Sequence, residues 1–183
     1  MRKQLVRMSG FGLGLSCVLA AAPMLQAQTV TPVPKLDMDR FSGTWYEIAR
    51  YPNKQEKNCA HDAITLITAG NKPNQLEVVN ACTNKKEYVD ARNITLKLQD
   101  KSGDGKMKVK GLLPPLKKYW VLGLGQDYNW ALVGNPKRKG LWIYSRTPDI
   151  KPETLAEIKT KATGQGFDVA HLVSTPQTNR SGK

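Results

Sequence analysis

From Trp45 onward, short runs rich in β-branched and aromatic residues alternate with clusters of Gly, Asn, Pro and Asp. Such runs predict strands, because branched and ring side chains pack well on a pleated surface and the clusters let the chain reverse. The first run is Trp45 to Tyr51, stopped by Pro52. Cys59 to Thr68 and Gln75 to Cys82 flank the turn at 69–74, a hairpin signature. Glu87 to Leu98 alternates roughly between polar and apolar, and Lys106 to Lys110 does so strictly, which implies one buried face and one wet face. After Pro114 and Pro115 come Tyr119–Leu124, Trp130–Gly134 and Leu141–Ser145. Eight short strands at regular spacing predict an all-β fold, either a closed antiparallel barrel or a sandwich.

One helix follows the strands. Pro152 and Glu153 mark its first turn and Gly164 or Gly166 its end. Leu155, Ile158 and Ala162 recur at helical spacing, giving one stripe that can pack on the barrel wall. Phe167 to Leu172 is expected to add a last short strand. Residues 28–38 read as an extended leader, 39–176 as the single domain, and 177–183 as a disordered tail.

The first 27 residues do not belong to that pattern. Arg2, Lys3 and Arg7 precede an apolar run that ends at Leu25-Gln26-Ala27, the layout of a secretory signal peptide cleaved after Ala27. A periplasmic product is expected. The alternative is an outer-membrane lipoprotein lipidated at Cys17, although Gly14 stands where that signal wants an aliphatic residue. Beyond residue 30 no stretch supplies the roughly 20 apolar residues of a membrane helix. Export leaves Cys59 and Cys82 as an even pair in an oxidising compartment, so a disulfide is expected between them.

Composition narrows the chemistry. The 183 residues hold two histidines and three cysteines, none within metal-ligand spacing of each other, so no metal or other cofactor is expected. Nucleophile-elbow and phosphate-loop motifs are missing. His61 and Asp62 are adjacent on a strand and so expected to point to opposite faces, which argues against joint acid–base work and against an enzyme. The formal charge is +13, with Lys106, Lys108 and Lys110 on one strand face. Solvated faces account for such lysines, and attraction to an anionic membrane surface is the functional alternative. Nucleic acid is not an expected partner of an exported chain.

Gly43-Thr44-Trp45, Gln126-Asp127-Tyr128 and Ser145-Arg146-Thr147-Pro148 lie in order at the start of the first strand, at the turn before Trp130 and after the eighth strand. In this the chain resembles the lipocalin family, and Gly43 to Arg50 resembles its bacterial and apolipoprotein D-like subgroup. The resemblance spans about residues 36–176. It implies an eight-stranded antiparallel up-and-down β-barrel with one C-terminal helix packed on the wall. It also implies structural roles for Gly43, Trp45, Asp127, Tyr128 and Arg146, with Arg146 over the Trp45 ring. Alternation and the subgroup pattern together place Ile64, Leu66, Val78, Asn80, Val89, Ala91, Trp130, Trp142 and Tyr144 in the cavity. The implied function is a non-catalytic carrier of a fatty acid or lysophospholipid, as a monomer or weak homodimer, serving lipid transport or envelope maintenance. The alternatives are an interaction module using its basic surface, or an enzyme of this fold acting on a lipid or isoprenoid.

Overall fold

The computed structural model describes residues 28–99, 102–110 and 117–178; the segment 1–27 with Cys17, and residues 179–183, lie outside them. Eight strands form between the turn clusters: β1 (Gly43–Arg50), β2 (Cys59–Ala69), β3 (Gln75–Asn84), β4 (Val89–Leu98), β5 (Lys106–Lys110), β6 (Lys118–Leu124), β7 (Trp130–Gly134) and β8 (Leu141–Ser145). Each pairs antiparallel with the next, and β1 pairs with both β8 and β2, so the sheet closes into an up-and-down barrel. Helix α2 (Pro152–Gly164) lies on the outer wall, where Ile158 and Ala162 pack with Leu132, Leu141 and Ile143. All five residues of β7 and all five of β8 are buried, because one face meets the barrel interior and the other meets α2.

Closure is divided along β1. Gly43–Tyr46 pairs with Ile64–Ile67 of β2, whereas Tyr46–Arg50 pairs with β8. Two irregularities between Cys59 and Ile64, with Asp62 at a φ of 52°, carry the start of β2 away from β1. The edge thus opened is covered by the C-terminal segment, which removes an unpaired edge. Strand β9 (Val173–Ser174) pairs with Ala49 and Arg50, and the Thr175 N–H donates to the Ile48 carbonyl at 3.0 Å. The Gln177 amide then donates to the carbonyls of Glu47 and Ala63 at 2.9 and 3.0 Å.

Local expectations change or gain detail at both ends of the domain. Gln177 and Thr178 are docked rather than disordered. Phe167–Leu172 is not a strand: Phe167 is buried, Val169–His171 form a 3-10 turn capped by the Asp168 carboxylate, and the strand comes after it. The leader is pinned, because the Val33 N–H donates to the Val121 carbonyl at 2.8 Å and the Gly105 N–H to the Val33 carbonyl at 2.9 Å. It runs into a one-turn helix, α1 (Met38–Phe41), too short for a periodic signal but capped by Asp37, which accepts from the Asp39 and Arg40 N–H groups. Cys59 and Cys82 form the expected disulfide, with Cα atoms 5.6 Å apart. The bridge is diagonal: the irregularities of β2 set Cys59 opposite Asn84 rather than Cys82.

One end of the barrel is shut. Gly43, at a φ of 101°, turns the chain into β1, and a side chain there would meet the Arg146 guanidinium at 3.1 Å. Trp45 fills the interior, its indole N–H donating to the Phe41 carbonyl at 2.9 Å. The Arg146 guanidinium lies 3.6 Å from the centroid of that ring. It donates to the carbonyls of Arg40, Ser42, Thr44 and Tyr128 at 2.7–3.2 Å. Arg146→Ala removes both the stacking and these charge-assisted bonds, and is expected to cost about 2–4 kcal/mol of stability in a urea titration. An unchanged midpoint would refute this role.

Candidate functional site

The inward faces of the strands are not filled to the top. Toward the closed end Val78, Leu96, Met107 and Val121 are fully buried and pack in one core with Trp45. Beyond them, in the half where Cys59 and Cys82 join β2 to β3, lies a cavity of about 440 Å³. A volume of this order suits one small ligand, since such sites usually span roughly 300–1,000 Å³. Ile94, Val109, Trp142 and Tyr144 give it apolar and aromatic walls.

Those walls also carry polar groups. Glu47 points inward from β1, two residues after Trp45, and is 3% exposed. Its carboxyl oxygen Oε1 accepts from the Thr175 hydroxyl at 2.5 Å and lies 3.5 Å from Arg50 Nη1. Arg50 is engaged more closely by Glu56, with Nε 2.6 Å from Oε2. Burial, and then the negative Glu56 nearby, push the Glu47 pKa up to about 8, against the opposing pull of Thr175 and Arg50. Burial therefore favours the protonated form of Glu47. Burial likewise raises the Tyr119 and Tyr144 hydroxyls, so both stay protonated. Thr65 donates to Asn80 Oδ1 at 2.8 Å across the β2–β3 ladder. Asp90 and Arg92, alternate residues of β4, line the same cavity.

Of the residues expected in the cavity, Ile64, Asn80, Trp142 and Tyr144 line it. Val78 points inward but lies below it, within the packed core. Four others do not face it. Leu66 and Val89 are 39% and 73% exposed, and Ala91 is exposed as well. On β4 the inward positions are Asp90, Arg92, Ile94 and Leu96, so the apolar Val89 and Ala91 stand on the outer face. Trp130 is buried outside the barrel, in the cluster under α2. Asp90, Arg92, Glu47 and Tyr119 also line the cavity, and apolar patterning at those positions gives no signal for them. The alternation of Ile94, Leu96 and Leu98 with Thr95 and Lys97 carried the correct parity, and so did the two-residue step from Trp45 to Glu47.

The signature residues Gly43, Trp45, Tyr128 and Arg146 gather at the closed end, away from the cavity, where exposed Asp127 lies 3.9 Å from Arg40. His61 and Asp62 do meet: the positive φ of Asp62 breaks strand alternation and brings Oδ2 to 2.8 Å from His61 Nδ1. Glu87 Oε2 lies 3.3 Å from the other ring nitrogen. Asp62, and then Glu87, hold the imidazolium above the ordinary histidine range. Thr178 also bonds to Asp62, so the cluster ties down the C-terminal segment. None of the three lines the cavity.

Glu47 makes stability depend on pH in a defined direction. Its folded pKa, about 8, lies above the 4.5 of an ordinary glutamate, so between those values the folded state binds more protons than the unfolded. Its contribution is neutral below 4.5 and becomes increasingly destabilising as pH rises toward 8. Glu47→Gln is expected to flatten the fall in denaturation midpoint across that window. An unaltered pH profile in the variant would count against a protonated Glu47.

A lipocalin-like domain model matches residues 36–177. The chain is 32% identical over 163 residues to temperature-induced lipocalin-1 of Arabidopsis thaliana, covering 85% of this chain and 87% of that one. It is 32% identical over 166 residues to outer membrane lipoprotein Blc of Escherichia coli, covering 87% and 90%. To apolipoprotein D of Mus musculus it is 29% identical over 153 residues, covering 78% of each. With the closed barrel, the wall helix and the Arg146–Trp45 plug in place, the chain belongs to the lipocalin family, in its bacterial and apolipoprotein D-like subgroup.

Proposed function

We propose that this chain is an exported, non-catalytic carrier that takes a fatty acid or lysophospholipid into the open half of the barrel, for lipid transport or envelope maintenance. The observation that carries the proposal is the cavity of about 440 Å³ walled by Ile94, Val109, Trp142 and Tyr144. Apolar ligand surface entering it gains roughly 25 cal/mol per Å² before binding costs. The fold and its relatives support binding of a small hydrophobic molecule; the acyl lipid and the transport role are the proposal. A periplasmic location, or an outer-membrane anchor through Cys17, accords with the apolar N-terminus and with a relative named as an outer membrane lipoprotein.

A row of lysines supports loading at an anionic membrane. Lys97 stands opposite Lys108, and Lys108 opposite Lys118, across three neighbouring strands, and all three are exposed. Like charges placed opposite one another destabilise a sheet, so the row has a cost that an anionic partner offsets. Lys108→Glu together with Lys118→Glu is expected to reduce flotation with anionic vesicles and leave the weaker association with neutral vesicles unchanged. Equal binding of the parent protein to both vesicle types would count against the loading surface.

The carrier itself is tested by native mass spectrometry of protein purified from the cell envelope, followed by organic extraction. The expected result is a one-to-one adduct that extraction releases as an intact single-chain lipid. A protein that stays bare after incubation with fatty acids and lysophospholipids would overturn the proposal. Turnover of the lipid would replace it with an enzyme.

A further inference from the structure

The polar groups around the cavity divide into those the protein supplies with partners and those it does not. The acceptors are supplied. Glu56 forms an ion pair with Arg50 at 2.6 Å and accepts from the Asn53 amide at 2.6 Å and the Trp142 indole at 3.4 Å. Glu47 accepts from Thr175, Asp90 from the Asn84 amide at 3.2 Å, and Asn80 Oδ1 from Thr65. Two donors are among the groups left over. The Tyr119 hydroxyl is buried and has no hydrogen-bond partner among the described residues. Arg92 lines the cavity from an exposed position on β4 and forms no ion pair with any carboxylate of the described residues. Tyr119 lines it too. A buried donor without an acceptor is costly, and a guanidinium is matched best by a carboxylate or phosphate.

We infer that Arg92 and Tyr119 make the cavity selective for amphiphiles with an anionic headgroup, a carboxylate or a phosphate, held against the barrel wall by these two donors. The ligand brings the acceptors that the protein lacks. Neutral amphiphiles of the same chain length fill the apolar walls but leave Arg92 without a counter-charge. Of the acidic groups that line the cavity, Glu47 is driven toward its protonated form by burial, Glu56 is engaged by Arg50, and Asp90 accepts from the Asn84 amide and forms no ion pair with Arg92. The inference rests on the carrier reading and adds to it the part of the ligand that is recognised.

The experiment is competition for a neutral fluorescent probe, N-phenyl-1-naphthylamine, by laurate, lauroyl lysophosphatidic acid and dodecanol. The expected order is both anions ahead of dodecanol, and the better anion identifies carboxylate or phosphate as the natural headgroup. Arg92→Gln is expected to weaken the anions about tenfold or more and to leave dodecanol unchanged, as loss of one charge-assisted contact predicts. Arg92→Lys should restore part of the difference. Tyr119→Phe is expected to weaken the anions several-fold while the ligand-free protein melts at the same temperature or higher, because an unpartnered hydroxyl has been removed. A purely structural tyrosine would instead lower the melting temperature and weaken all three ligands alike. Equal affinity of the parent for laurate and dodecanol, or an Arg92→Gln loss shared by both, would sink the selectivity and leave the carrier standing. If neither the probe nor any amphiphile binds, both fall together.

Discussion

A closed sheet has no edges along its strands, but it has two ends, and the fold depends on sealing one of them from within. Trp45 and Arg146 do this. The indole occupies the interior, and the guanidinium covers it at 3.6 Å while collecting the carbonyls of Arg40, Ser42, Thr44 and Tyr128. Those carbonyls belong to three separate stretches: α1 with its exit, the first turn of β1, and the β6–β7 connection. Each stretch ends where sheet pairing stops, so its backbone acceptors need a donor from elsewhere. A planar cation with five N–H groups meets several of them at once and still stacks on a ring, which lysine cannot do. With this end sealed, the core from Val78 to Val121 grows outward from the plug, and the opposite half need not be filled.

The open half is held by different means. Its strands lack a packed centre, and β2 leaves β1 at the irregularities around Asp62. Three devices compensate there. The Cys59–Cys82 bridge fixes β2 to β3. Arg50 draws the loop carrying Glu56 back over the rim, and the segment from Val173 to Thr178 closes the gap beside β1. Thr175 belongs both to that segment and to the Glu47 site, through bonds to the Glu47 carboxyl and from Arg50. The cavity wall and the C-terminal closure are therefore one hydrogen-bonded unit, and the ionisation of Glu47 bears on both.

The barrel was legible because its strands are short, its turns are marked by Gly, Asn and Pro, and alternation is clean where one face meets water, as in Lys106–Lys110. The lining was legible only in part. Alternation decides which residues share a face, not which face is inside, and in a sequence that choice falls to hydrophobicity. That choice fails on β4, where Val89 and Ala91 do not line the cavity but half-buried Asp90 and exposed Arg92 do, because the open half of the barrel admits water and with it charge. It fails on β7 for the opposite reason: α2 buries the outer face too, so Trp130 appears in an unbroken apolar run. The contact between His61 and Asp62 needed a backbone turn of 52° in φ at Asp62, which no pattern of side chains signals.

The charged interior also follows from stability. A dry apolar void of about 440 Å³ would cost on the order of 10 kcal/mol at the rate measured for cavity-creating core mutations, comparable to the whole stability of a small domain. A carrier cannot remove that cost by packing, because packing removes the site. Lining the space with Asn80, Asp90, Arg92 and Tyr119 lowers it, since polar walls let water occupy the volume between ligands. The same groups then set the exchange on loading: water leaves the apolar walls at a gain, whereas water on Arg92 and Tyr119 must be replaced by an equivalent acceptor. A ligand without one would forfeit at the polar wall part of what it gains at the apolar wall. Stability without ligand and selectivity with it thus call for the same polar residues lining the open half of the barrel.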